Sequence, residues 1–308
     1  MLKHLCFFIL CAVVCGNADA KHMYQYTDAH GVVHFTDVKP GDDVTGVKST
    51  VVRTDAQPLI RLRQDGADAD RSMTFVNSAG GPVSVDVSFA QSLNVSTEPP
   101  LPARFVLPAN SESRVLRVFA GDPNASFSYS LKYSYMPGDY RAQHDDAARY
   151  QLPFSTRQQF VIAQAFGGKA SHTDAQNHDA VDIVMPVGTP VLAARDGVVM
   201  TVDSDFYGTG LDMAKYGDRA NNIRIVHSDG TMAVYAHLQL ESAQVQVGNH
   251  VHAGQELALS GDTGYSSGPH LHFCVQVNSQ MDLISVPFQF TGADGDFTPE
   301  QGMLVGGR

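Results

Sequence analysis

Period-two alternation is the feature that most limits what this chain can fold into. Phe127, Tyr129, Leu131, Tyr133 and Tyr135 alternate with other residues without a break, and Val83, Val85, Val87 and Phe89 alternate with Ser84, Asp86 and Ser88. Residues two apart on a strand share a face, so each run predicts a β-strand with one apolar side. Val115, Leu116 and Val118 mark a further strand, and Pro108-Ala109-Asn110 and Gly121-Asp122-Pro123 supply turns. No long 3.6-residue apolar period appears downstream. The reading is therefore all-β, with a small β-sandwich over residues 61–155.

The N-terminal part is simpler. Lys3, the apolar run Leu5 to Val14 and Ala18-Asp19-Ala20 fit a secretory signal, residues 1–20, cut after Ala20. Ten apolar residues are too few to span a bilayer comfortably. The expectation is export to the periplasm or envelope, or secretion, with no stable membrane insertion after cleavage. Cys6, Cys11 and Cys15 leave with the signal, so the mature chain keeps only Cys274 and forms no internal disulfide. Tyr24, Tyr26, Val33 and Phe35 around Asp28-Ala29-His30-Gly31 predict a hairpin within a small module over 21–60. That stretch resembles a short domain of unknown function found after the signal in many bacterial envelope proteins. His30 and His34 read as surface residues of it.

The chain has 308 residues, 43% hydrophobic, enough for two or three units with real cores. Its formal charge of −11 argues against nucleic acid as a partner, because phosphate binding needs a basic surface.

Chemistry concentrates in residues 158–290, which hold eight of the thirteen histidines. His270 and His272, in Gly268-Pro269-His270-Leu271-His272-Phe273, open an apolar run and share a face if that run is a strand. Two more blocks belong with them: Ser171-His172 through His178-Asp179-Ala180-Val181-Asp182, and Tyr235-Ala236-His237-Leu238. A histidine, an aspartate and a second histidine make a three-ligand zinc site with one open position, the arrangement of catalytic rather than structural zinc. Two further imidazoles can move protons.

These blocks, together with Met185-Pro186-Val187-Gly188-Thr189-Pro190-Val191 and Ala193-Ala194-Arg195-Asp196-Gly197, resemble the lysostaphin-type, or LytM-like, zinc endopeptidases over about 120 residues. The resemblance implies a compact antiparallel β-domain over 156–295, one Zn2+ ion, and peptidoglycan cross-links as substrate. It also implies Asp182 and His272 as metal ligands and His237 and His270 as catalytic residues. The remaining ligand stays open between two candidates. His178 has the family's His-x-Gly-x-Asp spacing, but Ala180 replaces the glycine, and in a straight strand positions i and i+4 lie about 13 Å apart. A subgroup pattern, Gly-x-x-Ser-His before Ala-x-Asp, instead selects His172. We take His172, with His178 as the alternative. Cys274 reads as a packed thiol, and His227, His250 and His252 as solvated. Residues 296–308 read as a flexible tail. A competing reading is a non-catalytic LytM-like module that binds peptidoglycan or activates a cell-wall amidase.

Overall fold

The computed structural model describes residues 19–28, 32–36, 40–41, 44–54, 58–217 and 219–307. Residues 1–18, with most of the expected signal and Cys6, Cys11 and Cys15, lie outside the described residues, as do residues 29–31 of the expected hairpin turn, His30 among them.

β1 (Asp19–Thr27), β2 (Val33–Thr36) and β3 (Lys48–Thr54) form an antiparallel sheet in the order β2-β1-β3. His34 stacks on Tyr26 at a centroid distance of 4.9 Å, and its Nε2 donates to Asp28 Oδ2 at 2.8 Å.

Two sheets follow. β4 (Ile60–Ala67), β5 (Asp70–Asn77), β6 (Val83–Leu93), β7 (Val95–Glu98), β8 (Ala103–Leu107), β9 (Ser111–Ala120) and β10 (Ser128–Pro137) sort into β4-β5-β9-β7 and β10-β6-β8. Alternation explains the layering. Val83, Val85 and Val87 point inward from β6, and Met73, Phe75, Leu116 and Val118 meet them from the other sheet. Phe75 and Tyr133 make an edge contact at 5.3 Å.

The rest of the chain builds around one large sheet. Its elements are β11 (Arg149–Gln151), β12 (Gln159–Gln164), β13 (Ala180–Val184), β14 (Pro190–Leu192), β15 (Gly197–Asp203), β16 (Thr209–Gly210), the single turn α1 (Met213–Tyr216), β17 (Asn222–Val226), β18 (Met232–Ala236), β19 (His250–Val251), β20 (Glu256–Leu259), β21 (Gly264–Tyr265), β22 (His270–Ser279), β23 (Asp282–Ser285), β24 (Gln289–Gly292), β25 (Gly295–Phe297) and β26 (Leu304–Gly306). The central order is β19-β15-β17-β18-β22-β13-β12-β26, with β23 also on β22.

The two faces of this sheet differ. One carries Val181, Ile183, Ile223, Ile225, Tyr235, Leu271, Phe273 and Val275, packed under Tyr150, Phe154, Phe288 and Phe290. Phe273 meets Phe288 edge-on at 5.1 Å. Each such side chain buried in full contributes about 1.5–3 kcal/mol. The opposite face carries the polar blocks, but only toward one end. Toward the other, Met200, Val226, Met232 and Leu283 join the core of the two smaller sheets. The contact is close. Gly80 N–H donates to Met200 O at 2.9 Å, and a Cβ on Gly80 would lie 2.1 Å from Val199 O, so only glycine fits there.

Two sequence expectations need correction here. Residues 148–154, expected in the sandwich, pack into the large C-terminal core through Tyr150, Leu152 and Phe154. The expected flexible tail is an ordered strand: β26 pairs with β12, and Val305 is buried. Backbone pairing to an open sheet edge supplied the order that polar, Gly-rich composition concealed. Among the described residues no helix is long and apolar enough to cross a membrane.

Candidate metal centre

One rung of the large sheet organises the site. The register runs Asp203↔Asn222, Asn222↔Ala236, Ala236↔His272, His272↔Asp182 and Asp182↔Gln164. Paired residues across a sheet project to the same side. Residues 90 apart in sequence are thus set side by side by backbone hydrogen bonding alone.

The four predicted imidazoles and the carboxylate converge. His272 Nδ1 is 2.9 Å from Asp182 Oδ1, His172 Nε2 is 3.3 Å from the same oxygen, and His270 Nε2 is 3.8 Å from it. His172, Asp182 and His272 each offer one donor atom, all within 4.8 Å of one another. His237 lies beside them, with its ring 4.4 Å from that of His270 and 5.9 Å from that of His272.

Each of three rings has its outer nitrogen tied to a carbonyl, which sets the tautomer. His172 Nδ1–H donates to Ala165 O at 3.0 Å, His237 Nδ1–H to Thr263 O at 2.7 Å, and His270 Nδ1–H to Gly268 O at 2.8 Å. Each Nε2 then carries a lone pair. His237 has φ of +62°, a conformation costly for a non-glycine residue. It is held by Leu238 N–H donating to Asn221 O at 3.1 Å and by the Thr263 contact.

The electrostatics follow from crowding. Burial works against the charge of Asp182, but His272, hydrogen-bonded to it, outweighs that penalty and holds the carboxyl well below its usual range. Burial also opposes charge on His272, yet Asp182 and Cys274 beside it push its pKa up to about 10. Burial, with His270 and His272 facing it, pushes His237 down to about 3.

The donor set fits a zinc ion. His172 Nε2 is fully buried and, despite its nearness to Asp182, makes no hydrogen bond. An orphaned buried acceptor is costly unless something absent from the protein itself completes it. Two imidazole nitrogens and one carboxylate oxygen, with no thiolate among them, suit a catalytic rather than a structural zinc.

His178, the alternative ligand, lies apart. Its side chain is 60% exposed and its Nδ1–H donates to Asp179 Oδ1 at 2.9 Å. The strand β13 begins at Ala180, so His178 precedes the strand that carries Asp182, and it is not among the residues grouped around that carboxylate. Cys274 is fully buried among Ala180, Val234 and Ala236, outside the ligand group. His250 and His252 are exposed. His227, expected in solvent, is buried, with Nδ1–H donating to Asp196 O at 2.7 Å. Sequence reading missed Gln164, Asn221, Thr263 and Ser266, which hold the site's loops. Isolated amides and hydroxyls carry no spacing signal.

The site opens into a cleft of about 1270 Å³, lined by Gln164, Lys169, Ser171, Leu211, Met213, His237, Tyr265, His270 and, from the C-terminal segment, Pro299, Glu300 and Gln301.

An aspartate and a histidine from neighbouring antiparallel strands, met by a histidine from a loop, form a candidate metal centre open to a cleft. Residues 176–282 match peptidase family M23, and residues 9–62 match a domain of unknown function, DUF4124. The chain carries a domain of peptidase family M23. The matched span begins at residue 176, so it contains His178 but not His172. Glycyl-glycine endopeptidase ALE-1 of Staphylococcus capitis is 41% identical over 103 residues, 33% of this chain and 25% of that protein. Peptidoglycan DD-endopeptidase ShyA of Vibrio cholerae is 28% identical over 171 residues, 54% of this chain and 36% of that protein. The solved catalytic domain of lysostaphin from Staphylococcus simulans is 32% identical, with 40% of this chain and 82% of that one covered and a TM-score of 0.29. The chain spans about a quarter of the length of ALE-1 and about a third of that of ShyA.

Proposed function

We propose that this protein is a zinc-dependent endopeptidase that hydrolyses peptide cross-links of peptidoglycan in the cell envelope, reached by means of a signal over residues 1–20. The observation that carries the reading is the convergence of His172 Nε2, Asp182 Oδ1 and His272 Nδ1 beside two further imidazoles at the floor of an open cleft. Peptidoglycan endopeptidases among the relatives support the substrate class.

His172, Asp182 and His272 would hold the ion. When bound, zinc supplies Lewis-acid polarisation of the scissile carbonyl and of the attacking water. The remaining work falls to His237 and His270. Both are anchored at Nδ1–H and present Nε2 as an acceptor toward the ligands. One takes the proton of the attacking water at Nε2, stands as an imidazolium beside the developing oxyanion, and later returns that proton to the leaving amine, while the other, its ring 4.4 Å away, packs against it and fixes its place. Anchoring by backbone carbonyls keeps both rings oriented without a carboxylate partner. The cleft, walled partly by residues 299–301, receives an extended peptide.

The test is zinc content and murein digestion by the purified mature chain, before and after chelation. Digestion that survives chelation refutes the metal role. Zinc and murein binding without turnover would favour the non-catalytic module.

A further inference from the structure

Gln164 ends β12 and pairs with Asp182 across the sheet. It is a buried amide with all of its hydrogen-bonding capacity in use. Nε2–H donates to Asp182 Oδ2 at 2.9 Å and to Ser171 Oγ at 2.7 Å. Oε1 accepts from Ala170 N–H at 2.9 Å and Ser171 N–H at 3.4 Å. The amide thus grips two things at once: the far oxygen of the carboxylate, and the loop residues immediately before His172.

The division of labour on Asp182 is specific. Oδ1 is the oxygen that faces His172, His270 and His272. Oδ2 is the oxygen that Gln164 holds. A carboxylate free to rotate would present either oxygen to a metal. One held at Oδ2 presents Oδ1. The loop needs the same help. His172 comes from an irregular segment between β12 and β13, where no strand ladder sets its place, and the Gln164 carbonyl collects the two amide hydrogens just before it. The loop is shaped to this side chain. A Cβ on Gly168 would lie 2.1 Å from Gln164 Cγ, and Gly168 has ordinary negative-φ geometry, so the side chain rather than the backbone demands glycine.

We propose that Gln164 is a positioning residue that orients Asp182 and clamps the His172 loop, so that two of the three ligands are pre-set by one amide. The inference rests on the zinc reading above. Hydrogen-bond partners of metal ligands typically tune affinity 10–100-fold.

The test measures zinc affinity of the full mature chain by chelator competition and records the visible spectrum of its cobalt(II) form. Gln164→Met keeps the shape and removes every hydrogen bond. It is expected to bind zinc about 10–100-fold more weakly, with an altered cobalt spectrum. Gly168→Ala displaces the amide without changing it, and about a 10-fold loss is expected by the same mechanism. Should Gln164→Met not fold, Gly168→Ala decides. Folded variants that bind zinc as wild type does, with an unchanged cobalt spectrum, overturn the proposal. A wild-type chain that binds no zinc overturns the metal reading itself, a distinct result.

Discussion

The two ends of one sheet face are built differently. Toward one end β18 and β22 offer Ala236 and His272, small and polar, open to a cleft. Toward the other, β18 offers Met232, which joins Met200, Val226 and Leu283 of the same sheet in a core shared with Val83, Val85 and Phe75 of the sandwich. Strand alternation is identical throughout, so it cannot make the difference. What differs is cover. Where a second layer packs, side chains are large and apolar. Where none packs, small residues leave room and the imidazoles stand unfilled. The sandwich therefore ends the polar face as well as stabilising it.

The largest break in this comparison comes from the open end. His272→Ala is expected to lose zinc retention and to bring murein digestion down to the chelated baseline, measured by metal content and turnover together. Cooperative melting should persist, because the aromatic core lies on the opposite face. A variant that keeps one equivalent of zinc contradicts the ligand assignment.

At the covered end, Met232→Ala removes a fully buried side chain between sheet and sandwich. A cost of about 2–5 kcal/mol is expected in denaturant unfolding. Zinc stoichiometry should be unchanged.

Acid offers a third test, on the rim of the other face. His227 is buried, and burial pushes its pKa down to about 4 from an ordinary 6.5. The unfolded chain takes up this proton first. Stability from a neutral His227 is therefore complete above about pH 6.5 and is lost as pH falls toward 4, by up to about 3 kcal/mol. Unfolding midpoints at pH 7 and pH 4.5 should drop less in His227→Gln than in wild type. Equal drops would show that the proton goes elsewhere.

The smallest effect sharpens the ligand choice. His178→Ala is expected to leave zinc affinity within about twofold, as for an exposed residue away from a metal, whereas His172→Ala should lose the ion. The reverse ranking in chelator competition would move the ligand to residue 178.

Much of this was legible from local pattern. Alternation at Val83 to Phe89 and Phe127 to Tyr135 marked strands, because period two is a property of a few neighbouring residues. The H-x-H pair on β22 and Asp182 on β13 were legible as chemistry because motif and geometry coincide on straight strands, and His237 was legible from the block that ends β18 just before it. Other features were not. His227 looked like a turn residue, and only packing under Tyr150 buries it. The tail looked loose, and only the free edge of β12 orders it.

By itself the sequence determined the all-β character of the chain and most of the residue types at its centre, since both depend on contacts within one strand. A local pattern favoured His172 over His178, and the tertiary structure set His172 against Asp182; the structure alone decided that Gln164 holds the pair and that the sandwich caps one end of the face. Those outcomes depend on which strands become neighbours and how an irregular loop folds back, and no short window of residues encodes either.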